Sequence, residues 1–560
     1  MLAAIPRLTV LVLAGPVLFG LLATLLPAFG FFPALGGSDL TLAPWSDLLA
    51  QPGLFRSASM SFLTGLITAF ISLAAVATFF AAWSHTSAFR RMQLLLSPLL
   101  SVPHAAAAFG LAFLFAPSGW LLRLASPELT GFVRPPDWLI IHDTFGIAMI
   151  SGLVAKEIPF LFLVTLAALP QARAREHARI AVNLGYGRVC AFLMAVWPLI
   201  YPQIRLAVFA VIAYACSVVD VALILGPTNP APLAVRLVSW MNDPDLTMRF
   251  RASAGAILQL AIVLAALASW IAGERIFARA SRALRFLGSC VVSETPVRYT
   301  SAVFVLLAAL LVFAGLFLLA LWSISGYWTF PDALPRSLSL AIWERQLPFL
   351  ARPLAVTMAA GLASTAIAIA LVIGCLEREA QTGRTGGTRA VAILYLPLIV
   401  PQVSFVFGLQ LFFLAAGMTA AFPSLVLVHL VFVLPYVFLS LSDPWRAYDR
   451  RYVEIARSLG ASPVAVFWRV RLPMLLRPVL IACAIGFAVS VGQYLPTVLI
   501  GAGRWPTVTT EAVALASGGD RRLIGVYAFV QMLLPLIGFA LATSVPAMVH
   551  SGLRGMRAAS

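Results

Sequence analysis

The sequence predicts an all-α polytopic membrane protein of about twelve transmembrane helices, arranged as two homologous six-helix halves. Three observations predict it. Apolar residues make up 61% of the 560-residue chain, and a mean hydropathy of +0.97 is more than a water-soluble domain of this length tolerates. Apolar stretches of about 20 residues, the length that crosses hydrocarbon, recur from end to end. The pattern of the first half then returns in the second.

The spans fall at roughly 8–30, 58–83, 94–116, 143–169, 199–225, 252–273, 301–325, 354–376, 391–416, 424–442, 478–500 and 523–548. Backbone polar groups in lipid must be satisfied within the segment, so each span is read as a helix. The first is too long for a secretory signal and lacks a prompt small-residue cleavage site, so it stays a membrane helix. Six spans per half is an even number. Both copies therefore enter the membrane the same way up, related by an axis along the membrane normal, and enclose a path between them.

A formal net charge of +17 invites a nucleic-acid reading, but its distribution argues for topology. Arginines cluster in the segments placed inside: Arg90 and Arg91; Arg173, Arg175, Arg179 and Arg188; Arg275, Arg279, Arg282 and Arg285; Arg446, Arg450, Arg451 and Arg457; Arg554 and Arg557. The opposite loops mix Arg56, Arg134 and Arg236 with Asp39, Asp47, Asp137, Asp243 and Asp245. This bias predicts a membrane protein with both termini cytoplasmic. Nucleic acid is not needed to explain it. The five cysteines (Cys190, Cys216, Cys290, Cys375, Cys483) are scattered without a C-x-x-C pair, and the six histidines are dispersed. Neither a disulfide framework nor a metal site is expected, and no cofactor.

The repeat is specific. Pro103-His104 with Phe109-Gly110-Leu111 matches Pro401-Gln402 with Phe407-Gly408-Leu409. Ile158-Pro159-Phe160 matches Leu434-Pro435-Tyr436, and Leu225-Gly226 with Pro232 matches Ile500-Gly501 with Pro506. The offset is 298 before the fourth span and about 275 after it, leaving some 23 extra residues at 117–141, an outer loop with room for a short surface helix. The Arg-rich stretch at 276–298 joins the halves, 1–285 and 286–560, on the inside.

Between the fourth and fifth spans of each half lies a hairpin pattern. The second copy reads Glu454-Ile455-Ala456-Arg457-Ser458-Leu459-Gly460-Ala461, then Leu472-Pro473. The first reads Arg179-Ile180-Ala181-Val182-Asn183-Leu184-Gly185-Tyr186, then Trp197-Pro198. Thirteen positions separate Gly from Pro in both. An amphipathic helix, a glycine able to take the left-handed conformation and a second helix make a rigid knob. Glu454 near its helix start suits the helix dipole and a partner's arginine.

With these residues the chain resembles the membrane permease subunits of binding-protein-dependent ABC importers, and more narrowly the fused permeases of thiamine and iron(III) importers. The family's inner signature is E-A-A, three residues, G, then I-x-L-P. Glu454-Ile455-Ala456, Gly460 and Val470-Arg471-Leu472-Pro473 fit it; the first half keeps Ala181, Gly185 and Pro198 but carries Arg179 in place of Glu. The resemblance covers nearly the whole chain. It implies a type I permease fold, two copies of a cytoplasmic ABC ATPase docking on the hairpins, and an extracytoplasmic solute-binding protein delivering cargo.

A P-loop needs G-x-x-x-x-G-K-[ST]. The one lysine, Lys156, sits in Val154-Ala155-Lys156-Glu157-Ile158-Pro159 with no glycine-rich loop before it. No catalytic residues are expected, and a motor must come from another polypeptide. Charges at membrane depth are costly and face a cavity or a partner. Lys156 and Glu157 in the fourth span, Asp220 in the fifth and Gln493 in the eleventh are therefore candidates to line the path. The competing reading of the charges is an internal ion pair of Lys156 with Asp220 or Glu157; adjacent Lys156 and Glu157 point about 100° apart on a helix and cannot simply pair. The alternative for the whole chain is an ion-gradient-driven transporter with a Lys156, Glu157 and Asp220 proton relay. Its inner loop, Ser84 to Gln93, lacks the Gly-x-x-x-Asp-Arg element that such a fold carries.

Overall fold

The structure is a computed structural model that describes residues 3–84, 86–170, 173–286, 293–383, 386–418 and 420–549. Cys290, Arg554 and Arg557 lie outside the described residues. The described residues form helices and loops, with only isolated bridges such as Phe32 to Gly37.

Ten helices are long and apolar enough to cross a membrane, and two bent pairs bring the number to twelve. In the first half they are Ile5–Ala28, Leu54–Trp83, His104–Ala125, Ile147–Ala168, Arg188–Ser217 and Met248–Ala283. In the second they are Glu294–Ser323, Ala341–Thr382, the pair Ala392–Ile399 and Gln402–Leu414, Phe422–Arg446, the pair Pro463–Met474 and Leu476–Val491, and Arg521–Val549. These are numbered as spans one to twelve below. Large apolar side chains such as Leu11, Leu22, Val303 and Phe317 stay exposed on them, as helices facing lipid require. The extra segment of the first half carries the short helix Trp120–Ala125.

Two predicted spans in each half are interrupted. The region 94–116 is a helix, Ser87–Leu96, a 3-10 turn, Ser97–Ser101, and a second helix from His104. Its repeat partner breaks between Ile399 and Gln402 with a bend of 92°. The cause is Pro103 and Pro401: a proline removes one helical hydrogen bond and pushes the residue before it out of the helical region. Val102 and Val400 accordingly have ψ of 124° and 125°. The expected span 199–225 likewise stops at Ser217, turns through Val218 (ψ 135°) and restarts as Asp220–Leu225. In the second half Leu476–Val491 and Leu495–Gly501 flank Gly492 to Tyr494.

The halves exchange their first helices. Span one packs chiefly on spans nine, six and eight, whereas span seven packs chiefly on spans three, twelve and two. These sets are equivalent under the repeat, so each half is completed by the other's first helix. Glycines make the crossings possible, because small residues let helix backbones approach where lipid offers no hydrophobic drive to associate.

Candidate functional site

The two knobs share one backbone construction. In the first, helix Ala174–Asn183 ends at Gly185 with φ of 91°. The Gly185 N–H donates to Val182 O at 3.0 Å and the Tyr186 N–H to Ala181 O at 3.2 Å, a Schellman closure. In the second, helix Arg451–Ser458 ends at Gly460 with φ of 83°. There Gly460 N–H donates to Arg457 O at 2.9 Å and Ala461 N–H to Ala456 O at 3.0 Å. A short helix follows in each, then a five-residue π turn, Phe192–Val196 or Phe467–Arg471. Pro198 and Pro473 sit in the first turn of the next helix, where a missing N–H costs nothing.

Ala181 is buried and Ala456 half-buried, while Arg179, Ile180 and Leu184 of the first knob and Glu454, Ile455 and Leu459 of the second are exposed. Each knob thus presents exposed apolar residues beside charged ones, Arg179 in one and Glu454 in the other. Both are anchored from behind. The Arg188 N–H donates to Glu294 Oε1 at 2.7 Å, fixing the first knob to the N-terminal end of span seven. Arg471 pairs with Glu377, and Arg446 with Glu379 at 3.0 Å, fixing the second to the C-terminal end of span eight. The scattered cysteines predict no disulfide framework; Cys190, in the short helix behind the first knob, is nonetheless disulfide-bonded.

The intramembrane charges do not form the expected internal pair. The Lys156 ammonium is buried and donates to Leu99 O at 2.5 Å and Leu100 O at 3.4 Å. These carbonyls belong to the 3-10 turn before the Pro103 break, where Leu99 O also accepts from the Val102 N–H at 3.3 Å. Glu157 turns to His104, whose Nε2 lies 3.1 Å from its Oε1. The neighbouring residues on span four therefore serve different partners, as their angular separation requires.

Asp220 is buried at the start of the short helix after the span-five break. It lies within electrostatic reach of His104, Tyr214 and Tyr494. Glu157 stands in the same relation to Tyr214 and Tyr436. The rings of His104 and Tyr214 are 4.7 Å apart. His104 and the three tyrosines keep partial exposure among buried neighbours. Acids and aromatic groups from both halves thus converge where spans three, five and eleven are broken, and discontinuous helices in corresponding places of two repeats are where transporter sites are built.

Gln493 sits in the span-eleven break with its Oε1 buried and unpartnered among the described residues. The break is braced by His429, which meets Ser490 Oγ at 2.7 Å and Thr497 Oγ1 at 3.0 Å. A further pair of braces obeys the repeat. Gln259 Nε2 donates to Cys216 O at 3.0 Å just before the span-five break. Gln531 Nε2 donates at 2.9 Å to Thr509 Oγ1, which donates to Val491 O just before the span-eleven break. Among the described residues no three His, Cys, Asp or Glu side chains gather as a metal site would require.

His104, the three tyrosines and the two glutamines were not singled out from the sequence. The signal available for His104 was its place after the repeated proline, opposite Gln402. The glutamines were legible only as polar residues inside apolar spans.

Twelve spans in two repeated halves, with paired knobs, define a type I importer permease. Residues 380–549 match the family described as the inner membrane component of binding-protein-dependent transport systems. The chain is 32% identical over 521 residues to the inner membrane ABC transporter permease protein YnjC of Escherichia coli (strain K12), covering 92% of this chain and 93% of that one. It therefore belongs to the family of ABC transporter permease proteins of the inner membrane. Shorter similarities reach the spermidine/putrescine permease protein PotC of Haemophilus influenzae, 25% identical over 30% of this chain and 67% of that one. The molybdenum permease protein ModB of Mycobacterium tuberculosis is 33% identical over 20% of this chain and 47% of that one. Family membership sets aside the gradient-driven alternative.

Proposed function

We propose that this chain forms the translocation path of an ABC importer and is driven through its two knobs by a separate ATPase present in two copies. The observation that carries this reading is the identical Schellman-closed construction at Gly185 and Gly460, 275 residues apart, each with an exposed apolar edge. A solvated loop between spans has no need of such a structure twice. Arg179, Ala181, Gly185 and Pro198 build one coupling surface; Glu454, Ala456, Gly460 and Pro473 build the other. The halves 1–285 and 286–560 move against each other, and both termini are cytoplasmic. A solute-binding protein meets the outer face. Swinging such a gate from 1:99 to 99:1 takes about 5.5 kcal/mol of differential stabilisation from the motor.

Within the path, Glu157, Asp220 and Gln493 line the opening with His104 and the tyrosines, a setting hospitable to a cation or a polar solute. Lys156 fixes the broken third span beside them. The chain carries no nucleotide site of its own.

The test is mild-detergent purification from the native membrane with the co-purifying proteins identified by mass spectrometry. Two Walker-motif ATPase copies per chain, lost when Gly185 and Gly460 are both replaced by bulky residues, is the expected result. A chain purified without any ATPase that still takes up solute on an ion gradient would overturn the reading.

A further inference from the structure

A groove of about 460 Å³ runs down the outer half of span two, lined by Arg56, Met60, Leu63 and Ile67 of that helix and by Phe145 and Ile150 beside and within span four. The spacing 56, 60, 63 and 67 keeps the four span-two residues on one helix face. Leu63, Ile67 and Phe145 are exposed, and Phe70 continues the stripe. On a membrane-crossing helix this surface meets the bilayer, so the groove opens to lipid.

Its dimensions and charge select one kind of occupant. Eleven residues at 1.5 Å each carry the groove about 16 Å from Arg56 to Ile67. Half of a hydrocarbon core of about 30 Å is about 15 Å. The groove therefore spans one leaflet, with a guanidinium at the headgroup end and apolar walls below. Arg56 lies two residues after Leu54, where span two begins on the outer side. Its Nη2 donates to Thr144 O at 3.0 Å, and it forms no ion pair among the described residues. The nearby Asp143 carboxylate is taken up by the N–H groups of Phe145, Ile147 and Ala148 at the start of span four.

We propose that this groove is a binding site for one phospholipid of the outer leaflet, its headgroup phosphate on Arg56 and an acyl chain along Met60, Leu63 and Ile67. Guanidinium matches phosphate geometrically, with donors left over after the Thr144 contact. The apolar wall, matched to leaflet depth, selects a lipid over a free phosphate. This inference is independent of the coupling reading, since it concerns the opposite end of the molecule and no ATPase.

The experiment is native mass spectrometry of the full chain in detergent, titrated with palmitoyl-oleoyl-phosphatidylglycerol. Arg56→Ala is expected to weaken binding of the tightest lipid about tenfold or more, the loss of one charge-assisted hydrogen bond. Leu63→Trp, which fills the groove and leaves the charge, should weaken it as well. Leu307→Trp, at an exposed position on span seven, should leave it unchanged and controls for folding. Glycerol 3-phosphate at the same concentration should not bind. Equal lipid affinity in wild type, Arg56→Ala and Leu63→Trp would overturn the proposal, as would glycerol 3-phosphate binding as tightly as the lipid.

Discussion

Gly110 of span three and Gly315 of span seven cross backbone to backbone. A Cβ on Gly110 would lie 2.6 Å from the Gly315 carbonyl carbon, and one on Gly315 would lie 2.7 Å from that of Gly110. The crossing of spans one and nine repeats it: a Cβ on Gly20 would meet Phe405 O at 2.2 Å and one on Gly408 would meet Gly20 O at 1.9 Å. Gly110 and Gly408 are equivalent in the repeat. Each exchanged first helix is therefore seated at a glycine, and the seat tolerates no side chain.

Gly110→Val should consequently destabilise the bundle by about 1–3 kcal/mol, the usual cost of overpacking, and separate spans three and seven. Thermal unfolding in detergent checks it. Gly273→Ala is the control, because a Cβ there meets nothing within 4 Å; it should unfold no earlier than wild type.

The knob glycines should behave differently. A Cβ on Gly185 or Gly460 also meets nothing within 4 Å, so only the positive φ resists substitution. Gly→Ala at either place costs about 1–2 kcal/mol locally, about a tenfold shift in the population of the closed knob. The expected outcome is normal membrane abundance with reduced uptake per ATP hydrolysed. Reduced abundance with unchanged coupling would argue for a structural role only.

Lys156→Met should be costly without involving transport chemistry. It takes the ammonium donor from the Leu99 and Leu100 carbonyls, of which Leu99 O keeps the Val102 N–H at 3.3 Å, a cost of about 1–3 kcal/mol, and should loosen the span-three break. Proteolysis of the inner loop before it, compared with wild type, reads the effect.

Asp220→Asn keeps the shape and removes the charge. With complex assembly intact, uptake should fall, whereas unchanged uptake by this variant would remove Asp220 from the path.

The glutamine braces give a graded pair. Gln259→Leu leaves Cys216 O without its side-chain donor, while after Gln531→Leu the Thr509 to Val491 bond persists. Interhelical bonds of this kind are worth about 0.6 kcal/mol on average, up to about 1.7. Gln259→Leu should therefore lower thermal stability more than Gln531→Leu does.

The sequence by itself determined the class, the number of spans, the repeat and the knobs. Those features rest on local or periodic signals: apolar length for a helix in lipid, and glycine for a left-handed turn closing a helix of a few turns. The breaks at Pro103 and Pro401 were legible in principle, since proline acts on its immediate neighbours, but the long apolar runs around them read as continuous spans. Only the tertiary structure decided which half each first helix completes. A repeat looks the same in sequence whether or not its first helices are exchanged, and the Gly110 to Gly315 contact joins residues 205 positions apart. The tertiary structure also decided the partners of the buried charges. Lys156 and Glu157 are chain neighbours, yet one serves the carbonyls of a broken helix and the other serves His104. Helix rotation and packing set those partners, and neither is written in the local sequence.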